Sequence, residues 1–211
     1  MQQKLFTSVF ILAICTSLSS FAQSRVALKA GPTFDKAHAR YYGNDLPSKF
    51  GVGGNLGLQV SAELEPPLYF MGVVLLNQKS FSVQPDTGSI SNYDYRLNYL
   101  SIAPMFSYHL PTGTGNFFAI SAGPMGSFGI SGKEKLTKNN ITTSRKLAFS
   151  TSSDISIIDL SAYTSAGYHT SQWFAELAYE HGFVNLNHET PTDGRDLQNR
   201  TLSFNIGVYI R

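Results

Sequence analysis

Apolar and polar positions alternate with a period of two along much of this chain, most clearly at its end. In residues 201–211, Leu202, Phe204, Ile206, Val208 and Ile210 share one face. Thr201, Ser203, Asn205, Gly207 and Tyr209 share the other. Successive side chains of an extended strand point to opposite faces, so this pattern predicts a strand with one apolar and one polar side. The first segment repeats it, with Val26, Leu28, Ala30 and Phe34 against Arg25, Lys29 and Thr33. So does the second, with Val52, Leu56, Leu58, Val60 and Ala62 against Gly53, Asn55, Gln59 and Ser61. In the fourth, Leu100, Ile102, Phe106 and Tyr108 oppose Tyr99, Ser101 and Ser107. In the seventh, Trp173, Ala175, Leu177 and Tyr179 oppose Glu176 and Glu180. The sixth sets Asp159 against Leu160 and Ala162. The third (68–79) and fifth (117–128) are apolar on both faces, and their register stays open.

The links between these segments alternate in length. Residues 35–49, 81–93, 131–151 and 184–199 make long polar links. Glu65-Pro66-Pro67, 111–115 and Thr170-Ser171-Gln172 make short ones. Eight strands whose returns are tight on one side and long on the other have the plan of a bacterial outer-membrane barrel. The predicted fold is all-β, an eight-stranded antiparallel up-and-down transmembrane β-barrel. Its apolar faces would meet lipid, and its polar faces would line the lumen. Trp173, Tyr179 and Tyr108 fall near strand ends, where interfacial aromatics sit.

The beginning of the chain reads differently. Lys4 precedes an apolar run over 5–18, and Ser20-Phe21-Ala22 offers small residues before Gln23. This is the pattern of a cleaved secretory signal peptide over 1–22, leaving 23–211 as the barrel domain and an exported protein. Cys15, the single cysteine, lies in that leader, so the mature chain would hold no disulfide. Composition agrees with a lipid-facing surface. Charged residues make up 14% of the chain, against about 25% in soluble domains. Net charge is +2, without a long basic run, which argues against nucleic acid as a partner.

Four motifs, in order, carry a family resemblance. They are Val26-Ala27-Leu28-Lys29-Ala30-Gly31, then Leu97-Asn98-Tyr99-Leu100-Ser101-Ile102-Ala103-Pro104. Ala119 to Met125 follows, with Ala122-Gly123-Pro124, and then Tyr179-Glu180-His181-Gly182-Phe183-Val184-Asn185-Leu186. Together they resemble the PorT-like outer-membrane β-barrel family of Bacteroidota. The chain departs from that pattern at Val73 to Ser80, which lacks the family's Glu, and at Ala178, where the family has Arg. It also ends in Tyr209-Ile210-Arg211 rather than in an aromatic residue. The resemblance implies an outer-membrane barrel, and for the family's name-giving member a role in protein secretion and gliding-type export.

No catalytic, cofactor-binding or metal-ligating residue is assigned, and no cofactor is expected. The histidines are His38, His109, His169, His181 and His188, with no metal spacing among them. His38, His169 and His188 fall in predicted loops or turns, and His109 and His181 end strands. His181 beside Glu180 or Ser203 is the only hint of a rim enzyme, but neighbours on a strand face opposite ways. Glu176 and Glu180 are read as lumen carboxylates paired with Lys29, Arg25 or Lys79. Gly51, Gly53, Gly54 and Gly57 are read as close packing in a narrow barrel rather than a nucleotide loop. Eight strands leave a lumen that side chains fill, so no diffusion pore is expected. The expected role is structural, binding or accessory, through the long loops, as a monomer in outer-membrane lipid. Envelope or secretion-system proteins are the possible partners. The alternatives are a soluble periplasmic lipocalin-like carrier, a rim enzyme and a small channel.

Overall fold

The structure, a computed structural model, describes residues 24–41, 44–84, 90–138, 141–150, 155–187 and 195–210. The signal peptide predicted over 1–22 lies outside them, as does His188. Twelve strands follow one another: β1 (Arg25–Tyr41), β2 (Asn44–Leu46), β3 (Ser48–Glu65), β4 (Leu68–Val83), β5 (Ile90–Gly113), β6 (Asn116–Lys138), β7 (Ile141–Leu147), β8 (Phe149–Ser150), β9 (Ile155–Ser156), β10 (Ile158–His169), β11 (Trp173–Gly182) and β12 (Arg195–Ile210).

Eight of these close a ring in the order β10-β11-β12-β1-β3-β4-β5-β6, with β6 pairing back to β10. Every pairing in the ring is antiparallel. Closure removes the unpaired edge that a bilayer cannot satisfy. The remaining strands sit at one end, where β2 adds to β1 and β7 forms a hairpin with β6.

The faces follow the alternation. Leu202, Phe204, Ile206, Val208 and Ile210 are 42–55% exposed on the outside, while Thr201, Ser203 and Asn205 are buried. Outward apolar residues form a continuous band, including Leu28, Phe34, Leu56, Leu58, Val74, Ile102, Phe106, Ile120, Leu160 and Leu177. The ambiguous strands are now placed. Met71, Val73, Leu75 and Lys79 of β4, and Phe117, Ala119, Ser121, Met125 and Ser127 of β6, face inward. A lipocalin-like carrier needs an apolar lumen and a polar exterior, and this band shows the reverse.

Ala62 keeps the outward face, in register with outward Phe70, although its small side chain is buried there. One expectation is corrected. The links at 35–49, 81–93, 131–151 and 184–199 are partly strand. β1 runs to Tyr41, β5 begins at Ile90, and 131–151 holds the β6–β7 hairpin. Polar residues such as Lys133, Glu134 and Lys135 give no amphipathic signal. Their backbones still pair with Lys146, Arg145 and Ser144.

Candidate functional site

The lumen is filled in tiers. At the short-turn end, rings from successive ring strands form a stacked collar. Tyr69 of β4 lies on His109 of β5 with centroids 3.8 Å apart. His109 lies on Phe117 of β6 at 4.2 Å, Phe117 on His169 of β10 at 4.8 Å, and His169 on Phe174 of β11 at 4.7 Å. Tyr209 of β12 joins through its hydroxyl, 2.8 Å from His169 Nδ1. The Arg25 guanidinium of β1 reaches over the Phe117 and Tyr209 rings at 5.7 and 5.8 Å. Cation and ring faces attract, and their charge distributions favour this placement. His169, read as a turn residue, and His109, read as a strand end, are both members of this collar. Only their inward parity in the sequence signals it.

Next comes an apolar tier of Met71, Val73, Leu75, Ala103, Met105, Met125, Tyr163 and Ala178. Charges cross the lumen beside it. Lys29 Nζ lies 2.6 Å from Glu176 Oε1, which also accepts from Asn205 Nδ2 at 3.1 Å. Lys79 Nζ lies 2.6 Å from Glu180 Oε1 and 3.5 Å from Asp159 Oδ2. Ser161 Oγ donates to Glu180 at 3.1 Å, and Asn199 Nδ2 to Asp159 at 2.7 Å. All five charged side chains are buried. Buried ions persist only when paired and hydrogen-bonded, and these are both. The predicted pairing of Glu176 and Glu180 with Lys29 and Lys79 therefore holds, while Arg25 belongs to the collar. Asp159 as a third member was legible only as an inward parity. Asp35 is held by Thr33 Oγ1, Thr201 Oγ1 and the Ser80 N–H at 2.9–3.0 Å, with no cation within salt-bridge distance among the described residues. Gly53 and Gly57 are close-packing sites, since a Cβ would strike the carbonyl oxygens of Gln78 and Val74. Gly54 has room for one.

At the long-loop end the polarity of the strands reverses. On β1 the outward face runs apolar from Val26 to Phe34 and then turns to Lys36, His38 and Arg40. Its inward face carries Lys29, Thr33 and Asp35 and then turns to Ala37 and Ala39. On β12, Leu197 lies inward beyond Asn199, while Arg200, Gln198 and Asp196 continue the outer face. Beyond the lipid-facing band the barrel is thus built like a soluble protein. Ala37, Ala39, Phe81, Val83, Leu97, Tyr99, Leu147, Ile155, Leu186 and Leu197 form one buried cluster, with Leu46, Tyr95 and Phe149 packed against it. Ion pairs rim this cup, Arg145 with Glu134 and Arg40 with Asp45. The space left inside is about 50 Å³, far below the roughly 300–1,000 Å³ of a small-molecule site.

The rim-enzyme residues do not converge. Glu180 points into the lumen, and His181 lies on the outer face, its ring 6.2 Å from Tyr179 and 5.5 Å from Phe183. Burial, with the Arg200 guanidinium second, holds the His181 imidazole below its ordinary pKa. Among the described residues no cluster of His, Cys, Asp and Glu could hold a metal ion.

The family model described as outer membrane protein beta-barrel domain matches residues 21–187. Solved structures are similar at low identity. Ail, the attachment invasion locus protein of Yersinia pestis, shares 14% identity with a TM-score of 0.47, over 89% of this chain and 99% of Ail. Neisserial surface protein A shares 11% with a TM-score of 0.42, over 87% and 96% of the two chains. The outer membrane protease OmpT of Escherichia coli shares 11% with a TM-score of 0.35, over 90% and 97%. No curated protein matches by sequence. The chain belongs to the outer membrane protein beta-barrel domain family.

Proposed function

We propose that this outer-membrane barrel is a non-enzymatic, non-conducting, monomeric surface protein, and that its working part is the cup beyond the lipid-facing band. The observation that carries this reading is the reversal of polarity on β1 and β12. The chain uses residues 36–41 and 195–200 to continue two strands past the membrane and to pack an apolar core there. A barrel needed only for its span would not require that second core. The short turns are assigned to the periplasm and the cup to the cell exterior, as in bacterial barrels of this plan. The near-solid interior of the cup favours contact through its rim and outer surface, with a macromolecule rather than an enclosed small ligand. The resemblance to PorT-like barrels makes an envelope or secretion-system protein the partner class to examine.

The test is proteolysis of intact cells with trypsin. Cleavage confined to the 131–151 hairpin, with the rest of the barrel protected, is the expected result. Full protection on intact cells, with cleavage only after the outer membrane is opened, would reverse the orientation. Single-channel steps in a planar bilayer would instead restore the small-channel reading, against which the filled lumen argues.

A further inference from the structure

Three cations stand side by side on the outside of the barrel. Arg96 of β5 is in register with Lys133 of β6, and Lys133 with Lys146 of β7. Leu97 and Leu147 are buried, and Lys133 alternates with buried Gly132 and Glu134, so all three cations point outward. Neighbouring strands lie about 4.8 Å apart, so the row packs three like charges into roughly 10 Å. Like charges directly opposite one another on a sheet repel. Among the described residues no ion pair reaches any of them. The nearest acid along β5, Asp94, accepts from Ser82 Oγ and Asn92 Nδ2 instead. Folding alone does not account for such a row, and an anion would.

Its height identifies the anion. Immediately below, Gln78, Asn98 and Ser131 form an outward hydrogen-bonded ladder, with Gln78 donating to Asn98 at 3.1 Å and Asn98 to Ser131 at 2.9 Å. Below that come lipid-facing Leu76, Leu100 and Ile130. Arg96 is four residues above Leu100, which at ~3.4 Å per residue and ~40° tilt is about 10 Å above the apolar edge. Arg and Lys side chains reach several ångströms down from there to headgroup level. The belt continues around the barrel, where Lys36 and Arg200 are the first outward residues beyond Phe34 and Leu202 and pair in register. The opposite edge of the band differs. Its acids among the described residues are Glu65 and Glu63, the latter accepting from the Tyr69 hydroxyl of the collar at 3.1 Å, and its one cation, Arg25, lies over the collar rings.

We infer that Arg96, Lys133 and Lys146 form a binding site for the phosphate groups of a lipid headgroup in the leaflet on the long-loop side, with Asn98 and Ser131 available to its hydroxyls. This rests on the orientation proposed above only for which leaflet supplies the lipid.

The test reconstitutes the barrel in phosphatidylcholine nanodiscs containing a minor fraction of diphosphoryl lipid A, and counts retained lipid A by native mass spectrometry. The triple variant Arg96→Gln, Lys133→Gln, Lys146→Gln is expected to lose retention by about tenfold or more, since each basic residue near a surface adds comparably to anionic-lipid attraction. Lys138→Gln, at the tip of β6, is expected to retain wild-type binding. The heat-modifiable gel mobility of each variant verifies folding. Equal retention by the triple variant would overturn the site. Displacement of lipid A by millimolar inorganic phosphate would assign the row to a soluble anion and overturn the lipid. Labelling of Lys138→Cys on intact cells reports orientation separately. Retention with no surface labelling would refute the orientation and leave the lipid contact standing. Lost retention in wild type with surface labelling would refute the lipid contact alone.

Discussion

Lys79 and Glu180 meet across the full diameter of the barrel. Their strands, β4 and β11, are four positions apart in a ring of eight, and Nζ lies 2.6 Å from Oε1. The pair is a strut, and Asp159 shares its cation at 3.5 Å. It lies between the apolar tier below and the cup above.

Removing the cation leaves two buried carboxylates facing each other. Lys79→Met is expected to destabilise the barrel by about 3–5 kcal/mol, as for other broken buried pairs. Urea unfolding in phosphatidylcholine vesicles measures it. The double variant Lys79→Met, Glu180→Gln should recover part of the loss. A single-variant cost under ~1 kcal/mol would mean that water or another group already compensates the acids.

The outer surface is tested in the opposite sense. Ile206 sits in the middle of the lipid-facing run of β12 and is 55% exposed. Ile206→Lys is expected to cost about 2–4 kcal/mol in a bilayer. The same change in a soluble barrel would be close to neutral. A neutral result in vesicles would place this face in water.

Much of this was legible beforehand, for a specific reason. Where one face meets lipid and the other a polar lumen, as in 25–34 and 201–210, every second residue reports its side. Lys29, Glu176 and Glu180 could thus be assigned to the interior. Their partners could be named only as a set, because which residues meet across a lumen depends on strand stagger. The collar was hidden because His109, Phe117, His169 and Phe174 come from four strands. β4 and β6 were ambiguous because Met71, Val73, Leu75 and Met125 fill an apolar tier inside while Val74, Leu76 and Ile120 face lipid outside. The hairpin at 131–147 carries no strand signal in the sequence because its strands are polar on both faces.

Gly207 lies under the Phe174 ring, where a Cβ would strike it. Gly207→Val should displace Phe174 from its stack on His169 and cost about 1–3 kcal/mol as overpacking. Gly54→Ala, where space exists, serves as the control and should be nearly silent. Unfolding midpoints of the two variants check this. Equal effects would remove the collar's claim to rigidity.

The cup should be separable from the span. Leu197 belongs to the buried cluster beyond the band, and Leu197→Ala is expected to remove about 2–5 kcal/mol of packing there. Limited proteolysis should then cut the 141–147 segment faster, while the membrane-embedded fragment keeps its folded mobility on gels. Loss of the folded fragment would show that the cup and the span unfold as one unit.

The reversal of polarity also sets a length. From Val26 to Phe34 on β1, and from Leu202 to Ile210 on β12, the outward apolar run spans eight residue steps, whereas it spans twelve on β3, from Val52 to Leu64, and on β6, from Phe118 to Ile130. At ~3.3 Å per residue and ~40° tilt these correspond to hydrocarbon heights of about 20 Å and about 30 Å. The apolar band is therefore uneven in height, and lipid has to thin where it meets β1 and β12, at fractions of a kcal/mol per ångström of hydrophobic mismatch.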